Sequence, residues 1–116
     1  MSIPKNPSQM SELMKNTKCL VLKFSAKWCG PCKNKNFLEA YSNLKKSHES
    51  NKNVMFLELD VDLQENLITE TELYNFNVSA VPTLLVYSYG NLMNEYTGTN
   101  CLNSVDMDIN RVVAYM

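Results

Sequence analysis

The sequence predicts an α/β fold, a mixed central sheet of four or five strands flanked by helices on both faces, and three observations carry that expectation. Strand-like apolar runs and helical apolar stripes follow one another in the order α β α β α β β α. The last two strands are separated only by Tyr89-Gly90-Asn91, a tight turn that makes them a hairpin. No linker, repeat or low-complexity stretch interrupts the 116 residues, so residues 1–116 are expected to form a single domain.

Asn6 can cap the first helix, with Pro7 at its first position and Gln9 reaching back to complete a capping box. Met10, Leu13 and Met14 supply its apolar stripe. Lys18 to Ser25 reads as a buried strand, with Cys19, Leu20, Val21, Leu22 and Phe24 ended by small residues. A long polar helix follows, with Phe37, Leu38, Tyr41 and Leu44 on one face and Asn51–Asn53 as its breaker. Val54 to Val61 is too apolar for a surface element and reads as a second strand. Asp62 and Glu65 form another capping box for a helix carrying Leu63, Leu67, Ile68 and Phe76 and ending at Asn77. Thr83 to Ser88 is a third strand and Leu92 to Thr97 its hairpin partner. Gly98 to Asn103 loops into a last helix marked by Leu102, Val105, Ile109, Val112, Val113 and Met116. Strands separated by helices imply right-handed crossovers and parallel pairing, to which the hairpin adds an antiparallel strand. A short edge strand near Ser2-Ile3 would be the fifth, limited by Pro4.

The bulk numbers exclude several classes. A net charge of −1 gives no electrostatic reason to expect nucleic acid or an anionic membrane as partner. The longest apolar runs, such as Cys19 to Leu22, fall far short of a membrane span. Met1-Ser2-Ile3-Pro4-Lys5-Asn6 contains no apolar signal core, so a cytoplasmic protein is expected, and Asn77-Val78-Ser79 reads as a chance glycosylation match. Four cysteines, at 19, 29, 32 and 101, are too few and too irregular for a stapled secreted scaffold.

Cys29 and Cys32 form a Cys-Gly-Pro-Cys pair at the junction of a strand and a helix. Free helix N–H groups and the positive end of the dipole favour a thiolate on the first cysteine. The second, one turn deeper, can attack a mixed disulfide from inside. Pro31 suits a first helical turn, Gly30 leaves room for an approaching backbone, and Trp28 offers a flat apolar wall. The competing reading is half of a zinc site. It would need two more ligands, but Cys19 and Cys101 do not make a second such pair and His48 stands alone among Lys45, Lys46 and Glu49 as a solvated surface histidine. Cys19 reads as a buried structural thiol, and Cys101 as a thiol in the loop after Gly98.

Trp28-Cys29-Gly30-Pro31-Cys32-Lys33 resembles the active-site string of the thioredoxin family. Phe24-Ser25-Ala26, Phe56-Leu57-Glu58-Leu59-Asp60-Val61-Asp62, Val81-Pro82-Thr83, Gly90 and Gly98 follow as further landmarks in the right order. The resemblance implies the thioredoxin fold and a protein dithiol–disulfide oxidoreductase, with Cys29 as attacking thiolate and Cys32 as resolving thiol. It implies a cis bond before Pro82, a substrate segment pairing with the backbone of Val81, and Gly98 beside the same groove. It also implies disulfide-bearing protein substrates, an NADPH-dependent thioredoxin reductase as electron donor, a monomer, and no bound cofactor or metal.

The sequence departs from that family at Lys23, where thioredoxins usually carry a buried aspartate that manages the resolving thiol's proton. A lysine buried there needs a partner or must lose its proton, and Glu58 on the neighbouring strand is the candidate partner. Asn36 replaces a helix-kinking proline, and the stretch between Cys32 and Pro82 is several residues longer than usual. An oxidase or isomerase would use the same couple, but the Gly-Pro pair argues against it. A binding or scaffold module with incidental redox activity is the alternative from another class, and Lys23 keeps it open.

Overall fold

The computed structural model describes residues 7–61 and 80–115, and they form four strands and three α-helices. The elements are α1 (Pro7–Asn16), β1 (Cys19–Ser25), a 3-10 turn (Pro31–Lys33), α2 (Lys35–His48), β2 (Val54–Asp60), β3 (Thr83–Ser88), β4 (Asn91–Thr97) and α3 (Leu102–Tyr115). The expected helix over 63–76, its Asp62–Glu65 capping box, the Asn6 cap, the Ser2-Ile3 strand and Asn77-Val78-Ser79 lie outside the described residues.

The sheet runs β2-β1-β3-β4 and is mixed. β1 pairs parallel with β2, placing Lys23 opposite Glu58, as the crossover argument requires. β3 corrects that argument, because it is antiparallel to β1 although helical sequence separates them. Antiparallel pairing of β3 with β1 brings Pro82, at the start of β3, to the end of the sheet where β1 delivers Cys29.

Strand alternation divides the core into two layers. Leu20, Leu22 and Phe24 of β1 pack with Leu57, Leu59, Leu85 and Tyr87 against Met10 and Met14 of α1. Cys19 and Val21 point the other way, with Leu84 and Val86, onto Phe37, Tyr41 and Leu44 of α2 and Val105, Ile109 and Val112 of α3. Helices therefore cover both faces. Phe37, Tyr41 and Leu44 are the buried stripe of α2, while Leu38, 100° further round the helix, is 44 % exposed and leaves the face assigned to it.

β4 is an edge strand in which Met93 and Tyr96 are half-buried and the rest exposed, a spacing of three that goes with the register shift opposite Val86 and Tyr87. The hairpin turns through Tyr89 and Gly90, both at positive φ (48° and 86°), the two-residue geometry that suits the twist of paired strands. Two long-range bonds tie the ends of the fold. Lys18 Nζ donates to the Val113 carbonyl near the C-terminus of α3 at 3.1 Å. His48 Nε2 lies 2.6 Å from Asp106 Oδ1, linking the end of α2 to α3, and its side chain is only 11 % exposed. His48 is thus an interhelical partner and not the solvated residue expected, since a contact 58 positions away leaves no local trace.

Candidate active site

β1 ends at Ser25, and Cys29 and Cys32 sit just beyond it, with Cα atoms 5.3 Å apart and their sulfurs joined as a disulfide. The pair does not open the long helix directly. Pro31–Lys33 forms a 3-10 turn, and α2 begins afresh after Asn34, whose side chain accepts the Phe37 N–H at 3.0 Å. Asparagine is a strong N-cap and takes that position from the cysteine. The donor foreseen at a helix start is supplied by the turn instead: the Cys32 N–H points at Cys29 Sγ from 3.1 Å. A free backbone N–H at that distance favours a thiolate on Cys29 when the disulfide opens.

Cys29 and Cys32 form a small core cluster with Ala26, against which the half-buried Val61 and Val81 pack. In the oxidised pair Cys29 is 3 % exposed and Cys32 6 %, so exposure does not single out the expected outer thiol. Position relative to Val81 does distinguish them, since Cys29 Sγ lies 3.4 Å from the Val81 carbonyl oxygen. The Val81–Pro82 bond is cis, as the resemblance implied. Pro82 accepts the Gly98 N–H at 2.9 Å, and Gly98 holds φ +102°, a conformation open to glycine. This contact and this hydrogen bond bring together Cys29, Val81, Pro82 and Gly98, which are spread over 70 positions of sequence.

Gly30 is informative for the opposite reason. Its backbone is ordinary right-handed helical (φ −60°, ψ −52°), and a Cβ added there would meet nothing within 4 Å. Neither backbone nor packing demands glycine. Trp28 keeps 69 % of its surface exposed, so it is not core.

Behind the pair lies a cleft of about 250 Å³ lined by Cys32, Lys23, Lys27, Lys33, Leu38, Glu58 and Asp60 among others. Lys23 is 4 % exposed. It shares the inward face of β1 with Cys19 and Val21, and its ammonium lies 4.4 Å from the centre of the Tyr41 ring and 5.2 Å from that of Phe37. The pairing expected of Glu58 is corrected here: its carboxylate lies 3.4 Å from Lys45 Nζ, with both side chains nearly half exposed. An exposed partner one helical turn beyond Tyr41 reaches that carboxylate while both ions keep their water; Lys23 would draw it inward at a desolvation cost. Burial pushes the Lys23 ammonium below the usual lysine range, Glu58 pulls it back up, and Lys45 pushes it further down.

Phe37, Tyr41 and Lys45 are the residues that sequence reasoning missed in this role. Their spacing of four along α2 was a usable signal once Lys23 was known to face that helix. The remaining thiols lie elsewhere. Cys19 is fully buried, with burial first and Asp108 second raising its pKa to about 11. Cys101, also raised by burial, donates to the Gly98 carbonyl at 3.6 Å, so it touches the loop that holds Pro82.

The Thioredoxin family model matches residues 3–111 of the chain. Human thioredoxin is 36 % identical over 97 residues, covering 83 % of this chain and 81 % of that one. A putative thioredoxin-5 of Dictyostelium discoideum is 30 % identical, covering 84 % and 85 %. The crystal structure of oxidised mitochondrial thioredoxin 3 from Saccharomyces cerevisiae superposes with a TM-score of 0.72 at 28 % identity, covering 93 % of this chain and 92 % of that one. Thioredoxins act on disulfide-bearing proteins, and the bonded Cys29–Cys32 pair, packed against Val81, supplies the two sulfurs that such exchange uses. The chain belongs to the thioredoxin family and is a thiol–disulfide oxidoreductase.

Proposed function

We propose that the reduced protein acts as a disulfide reductase in which Cys29 is the nucleophile and Cys32 the resolving thiol. The Cys29 thiolate attacks one sulfur of a target disulfide, forming a mixed disulfide and releasing the other target sulfur as thiolate. Cys32, once deprotonated, attacks Cys29 Sγ, closes the internal disulfide and releases the second target thiolate. Two electrons pass to the target, and its two sulfurs take up protons from solvent and from Cys32. An NADPH-dependent thioredoxin reductase returns two electrons to the pair, so the protein needs no cofactor of its own.

The observation that carries the assignment is the Cys32 N–H aimed at Cys29 Sγ from 3.1 Å, a donor for the attacking and not the resolving sulfur. Val81 presents its carbonyl 3.4 Å from the same sulfur, the side on which an extended substrate backbone would pair as an added strand. Pro82 and Gly98 shape that groove, Gly30 leaves its approach open, Pro31 starts the turn, and Trp28 flanks it. Lys23 and Glu58 support the site from the cleft behind Cys32. We read the protein as cytoplasmic, monomeric and single-domain; no helix among the described residues is long and apolar enough to cross a membrane.

Turnover of an insulin disulfide with NADPH and a thioredoxin reductase tests the reading. Wild type consumes NADPH in step with insulin reduction, and Cys29→Ser does neither. Unimpaired turnover by Cys29→Ser, or none by wild type when fully reduced chemically, would replace the reductase with the scaffold reading.

A further inference from the structure

A net charge of −1 hides an uneven distribution. Between Glu12 and Glu39 the sequence contains no acidic residue and six lysines, at 15, 18, 23, 27, 33 and 35. That stretch carries the reactive pair. Lys27, Lys33 and Lys35 are all exposed, and Lys27 and Lys33 join Lys23 in lining the cleft beside Cys32. Two carboxylates border the same cleft from the end of β2, but they do not cancel the rim. Glu58 is ion-paired with Lys45, which leaves Asp60 as one carboxylate against the three lysines, Lys23, Lys27 and Lys33, that line the cleft. The other parts of the groove, Trp28, Gly30, Val81 and Pro82, are uncharged.

We propose that this face selects disulfides embedded in acidic segments, so that the substrate is a protein with Asp or Glu within a few residues of the cysteine that Cys29 attacks. The inference rests on Cys29–Cys32 being the working couple and adds the substrate class. A carboxylate beside the target disulfide meets the Lys27 and Lys33 ammonium groups at the rim, with the exposed Lys35 two residues beyond Lys33 adding to the same field, and the cleft of about 250 Å³ behind Cys32 has room for one acidic side chain. Exposed charges of this kind act chiefly on encounter rate and on rejection of wrong partners, because a basic flank would be repelled. Their effect is screened as the Debye length shrinks with added salt. Gly30 contributes by letting the partner's backbone come close enough for short-range charge to matter, since nothing fills the space where its Cβ would be.

Two synthetic peptides with the same internal disulfide, one flanked by Glu and the other by Gln, provide the test. The rate constant for oxidation of reduced protein by each peptide is measured by acid quench and mass spectrometry. The ratio of the two constants within one protein cancels differences in thiol chemistry between variants. In wild type the Glu peptide reacts about five- to tenfold faster at low salt, and the ratio falls toward one at about 0.5 M salt. In Lys27→Gln/Lys33→Gln/Lys35→Gln the ratio is already near one at low salt. A wild-type ratio of one or less at low salt, or a ratio undiminished in the triple variant, overturns the proposal. Reaction with neither peptide overturns the reading of the couple on which it stands.

Discussion

Replacing Lys23 with methionine removes an ammonium and keeps most of the side chain's length. The residue is 4 % exposed, so its charge has left water. Taking an ammonium into a protein interior costs several kcal/mol after relaxation. Two aromatic faces offset part of that cost, Tyr41 at 4.4 Å and Phe37 at 5.2 Å, each worth up to about 2 kcal/mol when desolvated. Lys45, 5.6 Å from the Tyr41 ring centre, opposes them by repulsion. Methionine recovers some ring contact through its sulfur, about 0.3–1.5 kcal/mol. Lys23→Met is therefore expected to stabilise the protein by about 1–3 kcal/mol at pH 7, within the range for replacing buried ions by hydrophobes of similar volume. Urea unfolding of both oxidised proteins reads this as a higher midpoint, by about 1 M for a typical slope. The pH dependence gives an independent check. Because burial depresses the folded-state pKa of Lys23, the wild type bears the full penalty below that pKa, where the ammonium is charged in both states. The penalty fades as pH rises through that depressed pKa and is gone above the unfolded value of about 10.4. The advantage of methionine must shrink accordingly toward alkaline pH. Cys19, raised to about 11, and Tyr96, raised to about 12, titrate in both proteins and subtract out. Lys23→Met less stable than wild type at pH 7, or an advantage unchanged to pH 11, would refute the reasoning.

The same substitution bears on the chemistry. An ammonium bordering the cleft behind Cys32 favours thiolate over disulfide, so Lys23→Met lowers the reduction potential and the thiolate fraction of Cys29, with about 30 mV corresponding to 1.4 kcal/mol. Equilibration against glutathione and thiolate absorbance measure both, and no change in either would mean that the charge does not reach the pair. Two tyrosines separate satisfied from unsatisfied hydroxyls. Tyr96 donates to the buried Asp108 carboxylate, so Tyr96→Phe costs about 1–3 kcal/mol in urea unfolding. The Tyr41 hydroxyl is buried with no hydrogen-bond partner among the described residues, so Tyr41→Phe is neutral or slightly stabilising.

Local pattern made most of the fold legible. The Met10–Met14 and Val105–Ile109–Val112 stripes and the apolar runs of β1 and β3 are buried as their periodicity requires. The antiparallel placing of β3 was not legible, because the helical sequence pattern before it suggested a crossover, whereas β3 starts at the end of the sheet where β2 stops. At the site, the cysteine pair was readable because its chemistry is tied to residue type and spacing, whereas the cis bond before Pro82 was readable only through the family resemblance. Pair partners were not. Register correctly set Glu58 opposite Lys23, but neighbours on a parallel pair of strands need not touch, and Lys45 claimed the carboxylate from α2. Asn34 likewise took the helix cap from the cysteine pair, a competition between two local signals that spacing alone did not rank.

Trapping the mixed disulfide tests the central claim, that Cys29 attacks and Cys32 resolves. Reduced Cys32→Ser and Cys29→Ser are each mixed with a disulfide-bearing protein, quenched with an alkylating agent, and mapped by peptide mass spectrometry. Cys32→Ser is expected to accumulate a covalent complex through Cys29, since nothing remains to release it, and Cys29→Ser to accumulate none. A complex held through Cys32 in Cys29→Ser, or the lack of one through Cys29 in Cys32→Ser, would contradict the account.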